Sequence, residues 1–175
     1  MARLEYYIIE RVLKGTVGKH SVYYYALSGA AGGSTRKSAA SELVPVAVRG
    51  KILKISASEI RNNPYYEGLK AKGGLKDSKH VHGGPIPPGW YWIRKLSAAE
   101  KATHHYPCVR LKPMRAASAM NRDGLLIHGQ GTHGSDGCIV PMISKREMKN
   151  FIEALEADGG GTIFVDESIE GHRFA

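Results

Sequence analysis

The chain has 175 residues, with 25 Lys plus Arg against 16 Asp plus Glu and a formal net charge of +9 when histidines are neutral. That length suits a single domain, 1–175, able to bury a core without staples; its two cysteines, Cys108 and Cys138, say little about compartment and could in principle form one bridge. No apolar run approaches the length of a membrane-spanning helix, and neither a Cys/His finger nor an aromatic RNA-binding signature is present, which excludes the usual nucleic-acid modules.

The opening Met1-Ala2-Arg3-Leu4 carries no basic segment followed by an apolar run, so the expectation is a product made in the cytoplasm without a signal peptide. Leu4 to Leu13 and Ser21 to Leu27 are rich in Tyr, Ile and Val and flank Gly15 to Gly18, which predicts a hairpin. Gly29 to Ser41 reads as a small-residue loop, and Leu43 to Ile55 as a second strand pair in which Val44, Val46 and Val48 alternate. Ser58 to Tyr66 is expected to hold a short helix broken at Pro64, and Lys70 to Gly84 an exposed loop. Residues 1–79 hold 14 Lys plus Arg against 6 Asp plus Glu, whereas residues 80–175 hold 11 against 10, so the basic excess lies in the first half. A basic surface suits nucleic acid, anionic lipid or an acidic polymer, and carboxylate-bearing wall peptides belong to the last class.

Trp90 to Leu96 predicts a strand after the Pro87-Pro88-Gly89 turn. Trp90 and Tyr91 beside that turn are candidate substrate-binding residues lining a cleft, although such aromatics more often pack in cores. Ser97 and Glu100 have the spacing of a capping box, and Tyr106 to Leu111 reads as a strand with Cys108 as a buried thiol. Ser144 and Glu147 repeat the capping spacing ahead of Met148, Phe151, Ile152 and Leu155, a helix that Gly159 to Gly161 ends before a last strand over Thr162 to Val165. Many strands, glycine turns and one firm helix near the C-terminus indicate a mainly β fold, a β-sandwich or partly closed barrel with that helix packed on it.

The chemistry concentrates between Leu125 and Met142. An apolar run, Leu125 to Ile127, is expected to be a buried strand delivering His128 at its end, and Ile139 and Val140 follow directly after Cys138. The glycine-rich stretch between them lets two strand ends present a His and a Cys across one small loop, with Asp136-Gly137 as a tight-turn signal. Cysteine attacks as the thiolate, and a neighbouring imidazole takes its proton. Cys138 and His128 are thus candidate nucleophile and base, the Gly137 and Cys138 amides candidate oxyanion donors, and Ser135, Asp136 and Gly129 supporting residues. A cysteine after a turn is more often a small buried hydrophobe, so the pair alone is weak evidence.

The string His128-Gly129, a loop, then Ser135-Asp136-Gly137-Cys138-Ile139 resembles the active-site signature of the YkuD-type L,D-transpeptidases. It looks most like the L,D-transpeptidase effectors of type VI secretion systems. Gly84-Pro85-Ile86-Pro87-Pro88-Gly89 with Tyr91, Val109 to Pro113 and Arg122 to Gly129 fit the same pattern, so the resemblance covers residues 83–166 and leaves 1–82 as a basic, β-rich N-terminal part. Three departures stand out. Asp136 replaces a usual second histidine, which leaves His128 as the base to carry over; Val140 stands where an arginine is common; and His133 is an extra loop imidazole, a candidate substrate contact.

The resemblance implies cysteine-dependent acyl transfer on peptidoglycan tetrapeptide stems, as L,D-carboxypeptidase, D-amino acid exchange or cross-linking, with no cofactor. It further implies an antibacterial effector delivered by a secretion apparatus, acting in the periplasm of a target bacterium and countered by a periplasmic immunity protein. Two alternatives come from other classes. One is a zinc peptidase using His128, His133 and Asp136 with His80, His82, His104 or His105, whose spacing matches no ligand motif. The other is a non-catalytic wall-binding or structural module.

Overall fold

The computed structural model describes residues 1–28, 86–115, 124–129 and 138–169, together with the backbone of 43–48 and 51–56. The protein is mainly β. Strands β1 (Ala2–Tyr7), β2 (Val12–Val17) and β3 (His20–Ser28) are followed by β4 (Leu43–Val48) and β5 (Lys51–Ser56), then β6 (Gly89–Arg94), helix α1 (Ala98–Thr103) and β7 (Cys108–Pro113). The chain continues through β8 (Leu126–His128), β9 (Ile139–Pro141), helix α2 (Lys145–Ala157) and β10 (Gly161–Asp166). Eight strands close a barrel in the order β1-β10-β6-β7-β8-β9-β3-β2, while β4 and β5 form the expected antiparallel pair as a sheet of their own.

Closure corrects the expectation of a sandwich or partly closed barrel. It comes about because β1, from the basic first half, runs parallel to β10 from the chain end, Leu4 facing Ile163 and Tyr6 facing Val165, all four in the core. The first predicted hairpin strand is also two strands. Alternation lapses at Tyr6 to Ile9, Glu10 and Arg11 are polar, and the chain turns there with Arg11 at φ 59° before β2 returns antiparallel to β1. The predicted Ser58–Tyr66 helix and the loops at 29–41 and 70–84 lie outside the described residues.

Alternate residues of β6, Tyr91 and Ile93, fill the barrel with Val109, Leu111, Ile127 and Ile139, and their neighbours Trp90 and Trp92 face outward. Helix α2 starts where Ser144 Oγ accepts the Glu147 N–H at 3.1 Å, and it buries Met148, Phe151, Ile152 and Leu155 in the same core. Its exit depends on Gly160, at φ 76°, where an added Cβ would lie 2.1 Å from the Ile93 carbonyl oxygen. That close approach lets the chain pass from α2 into β10 beside β6. Among the described residues no helix is long and apolar enough to cross a membrane.

Candidate active site on the outer face of the barrel

Strand β8 runs antiparallel to β7 and parallel to β9, with Arg110 facing Leu126, Cys108 facing His128, and Ile127 facing Ile139. The expected arrangement, two strand ends joined by a tight turn, is therefore replaced by a parallel pair. Burial explains the register: Ile127 and Ile139 are both fully buried in the barrel core, and a slip by one residue would turn both outward. The same register puts Leu126 and His128 of β8 and the residue before β9, Cys138, on the outer face. There Leu126 packs with Leu96 and Cys108 in a second apolar cluster, and the half-buried Cys138 packs against it.

Cys138 Sγ accepts the backbone N–H of Leu126 at 3.3 Å, and its thiol proton points to the Gly124 carbonyl at 3.8 Å. An amide N–H aimed at sulfur stabilises negative charge on it. His128 lies one level further along β8, diagonal to Cys138 rather than directly opposite. Its Nδ1 is 2.7 Å from the Gly129 carbonyl oxygen. A carbonyl only accepts, so Nδ1 carries the proton and Nε2 keeps its lone pair, the form a general base needs. Burial lowers the His128 pKa below the ordinary imidazole value, and the Gly129 carbonyl works in the opposite direction, so the ring is neutral at physiological pH. The Gly129 carbonyl thus fixes the His128 tautomer, and the surroundings of Gly129 are tight: a Cβ there would meet Met148 Cγ at 3.2 Å.

The site has a wall that sequence reasoning did not assign. The Tyr106 ring meets the His128 ring edge to face at 5.8 Å and the His104 ring at the same distance. Burial raises the Tyr106 pKa, Cys108 and Cys138 add to the rise, and Arg110 opposes it. Arg110 Nε donates to Glu100 Oε2 at 2.8 Å, and Nη2 reaches the same oxygen. Glu100 closes the capping box of α1 with Ser97, so the predicted cap also anchors the helix to β7. The available signal was alternation: Tyr106, Cys108, Arg110 and Lys112 stand two apart and share one face once Tyr106 to Pro113 is read as extended.

Cys108 is the buried thiol expected of it, 4% exposed, with burial pushing its pKa up to about 11. Neither cysteine is in a disulfide. Strand β8 separates their strands, so their Cα atoms lie about 10 Å apart or more, beyond the roughly 7 Å that a disulfide spans. Trp90 is exposed on β6, whereas Tyr91 is fully buried with its hydroxyl donating to the Pro87 carbonyl at 2.7 Å. Tyr91 is thus corrected from substrate contact to core residue, because the strand alternation that exposes Trp90 turns Tyr91 inward. His133, Ser135, Asp136 and Gly137 fall outside the described residues. Among the described residues no three His, Cys, Asp or Glu side chains converge as a metal site.

No family model and no curated protein matches this chain. A solved structure, that of Bd1075 from Bdellovibrio bacteriovorus, is similar at a TM-score of 0.43 and 13% identity, over 95% of this chain and 48% of that one. The chain spans about half the length of that protein.

Proposed function

We propose that the protein is a cysteine-dependent acyl-transfer enzyme of the YkuD-type L,D-transpeptidase kind, acting on peptidoglycan tetrapeptide stems. The observation that carries this reading is the pairing on one outer face of a half-buried thiol that receives an amide N–H with an imidazole whose Nδ1 is committed to the Gly129 carbonyl. His128 Nε2 takes the Cys138 proton, and the sulfur attacks the carbonyl joining the L-centre of the third stem residue to terminal D-alanine. The C–N bond breaks, His128 returns the proton to the departing amine, and a thioester remains. Water releases it as a carboxylate, a free D-amino acid exchanges it, or a neighbouring stem amine cross-links it, each giving its proton back through His128 to the thiol.

The residue string from Gly84 to Ile139 supports the substrate class, and the parallel β8–β9 pair supports the division of labour between His128 and Cys138. The proposal extends to an antibacterial effector carried by a secretion apparatus, acting on the wall of a target cell and met by a periplasmic immunity protein that occludes the His128 and Cys138 face. Purified protein is incubated with tetrapeptide muropeptides and the products are read by mass. Loss of D-alanine, or its replacement by an added D-amino acid, is expected from the native chain and not from Cys138→Ala. Production in the cytoplasm should be harmless and export to the periplasm toxic; toxicity that needs neither export nor Cys138 would refute the wall as target.

A further inference from the structure

The protein's two tryptophans, Trp90 and Trp92, both stand on the outer face of β6, at 52% and 37% exposure. Large aromatics on an outward strand face carry no core duty there, since Tyr91 and Ile93 between and beyond them fill the barrel. The Trp90 ring lies 5.0 Å from the Phe164 ring of β10, tilted by 40°, which makes a broad apolar shelf across two strands. Beside it the same face turns cationic: Trp92 faces Lys112, and Arg94 faces Arg110, on β7. Continuing across the sheet, Arg110 faces Leu126, whose N–H touches the Cys138 sulfur. The aromatic shelf, the exposed Arg94 and Lys112, and the thiol thus share one outer face, with Arg110 held by Glu100 and Leu126 buried between them.

We infer that this shelf is a binding site for the glycan backbone of the polymer whose stem peptide reaches Cys138, an inference that rests on the acyl-transfer reading above. The axial C–H faces of N-acetylated pyranoses stack on flat aromatic rings, and a Trp pair on a strand offers such a platform with little conformational entropy to lose. The distance fits. Three strand steps and two residues of offset separate Trp92 from Cys138, about 16 Å along the surface. An extended stem covers about 10 Å over its first three residues, and its γ-glutamyl link and the lactyl ether to the sugar supply the rest. Arg94 and Lys112, both exposed, stand beside the shelf on the side toward Cys138, where the stem would carry free carboxylates and charge complementarity asks for cations.

Because both tryptophans sit on the shelf, tryptophan emission excited beyond the tyrosine absorption band reports this surface alone. Cys138→Ala protein is titrated with stem-free glycan strands, prepared from sacculi with an amidase, and a saturable change in tryptophan emission is expected. Trp92→Ala should weaken that binding by about tenfold, and Trp92→Phe should keep most of it. In native protein, turnover of disaccharide-linked tetrapeptide should exceed that of free tetrapeptide in kcat/KM, an advantage that Trp92→Ala abolishes while leaving free tetrapeptide turnover unchanged. Absence of any emission change, with equal turnover of the two substrates, overturns the glycan site and leaves the acyl-transfer reading standing. Glycan binding without stem turnover by native protein supports the shelf and overturns the enzyme, leaving a wall-binding module.

Discussion

The two thiols share one outer face and one apolar cluster, yet their surroundings differ in the respect that decides reactivity. Cys108 lies within β7, directly across from His128, where cross-strand Cβ atoms come to about 5 Å; it is buried, and desolvation holds its thiol protonated. Cys138 lies at the mouth of β9, diagonal to the imidazole, half-buried, with an amide N–H on its sulfur. Proximity to a base is thus greater for the thiol that is not proposed to react. What distinguishes the other is solvent access and a donor for negative charge, and a thiolate needs both more than it needs a direct cross-strand neighbour.

The largest effects should come from exchanging the members of that comparison. Cys138→Ala is expected to remove stem-peptide turnover by on the order of 10⁴-fold, whereas Cys108→Ala, measured in the same muropeptide assay, should stay within about threefold of native. Equal loss in both would transfer the nucleophile's role to Cys108 or to the pair. His128→Ala should lower kcat/KM by about 10²–10⁴-fold. The base must be neutral to act and its pKa is lowered by burial, so activity is retained as pH falls to 6.5 and is lost only as pH drops through a lower value. A pH profile whose acid limb sits above 6.5 would contradict a desolvated His128 as the base.

Chemical labelling sharpens the same contrast at smaller cost to the protein. Limiting iodoacetamide should modify Cys138 in the folded state and Cys108 only after unfolding, a difference of at least about tenfold in rate read by peptide mass mapping. The smallest expected effect is that of Gly129→Ala. The new methyl presses on Met148 Cγ, the side chain of a flexible residue that yields, so the melting temperature should fall by only about 2–4 °C. Activity should fall further than stability does, because the displaced group is the carbonyl that holds the His128 tautomer.

Much of the fold is legible in the residues because local rules and burial agree. The Ser144 cap and the Met148, Phe151, Ile152 and Leu155 stripe define α2, the Ser97–Glu100 box defines α1, and the valine alternation at 43–48 marks β4. Where local signals are silent the reading slips. Nothing between Leu4 and Leu13 announces the turn at Ile8 to Arg11 except a lapse in alternation, and Tyr91 differs from Trp90 only by one step of a strand whose inward side is set by its neighbours. Arg110 and Glu100 meet because α1 docks on β7, a contact with no sequence periodicity.

The sequence by itself determined the chemical types at the candidate site and their order along the chain: an imidazole at the end of one apolar run, and a thiol at the start of the next. Those follow from residue identity and short-range hydrophobic pattern. Only the tertiary structure decided that the two runs lie parallel rather than as a hairpin, that Cys108 joins the same face, and that both tryptophans stand on that outer face. The reason is that strand direction and register come from closing a barrel around Ile127, Ile139 and their partners, an energy summed over all eight strands and encoded in no single segment.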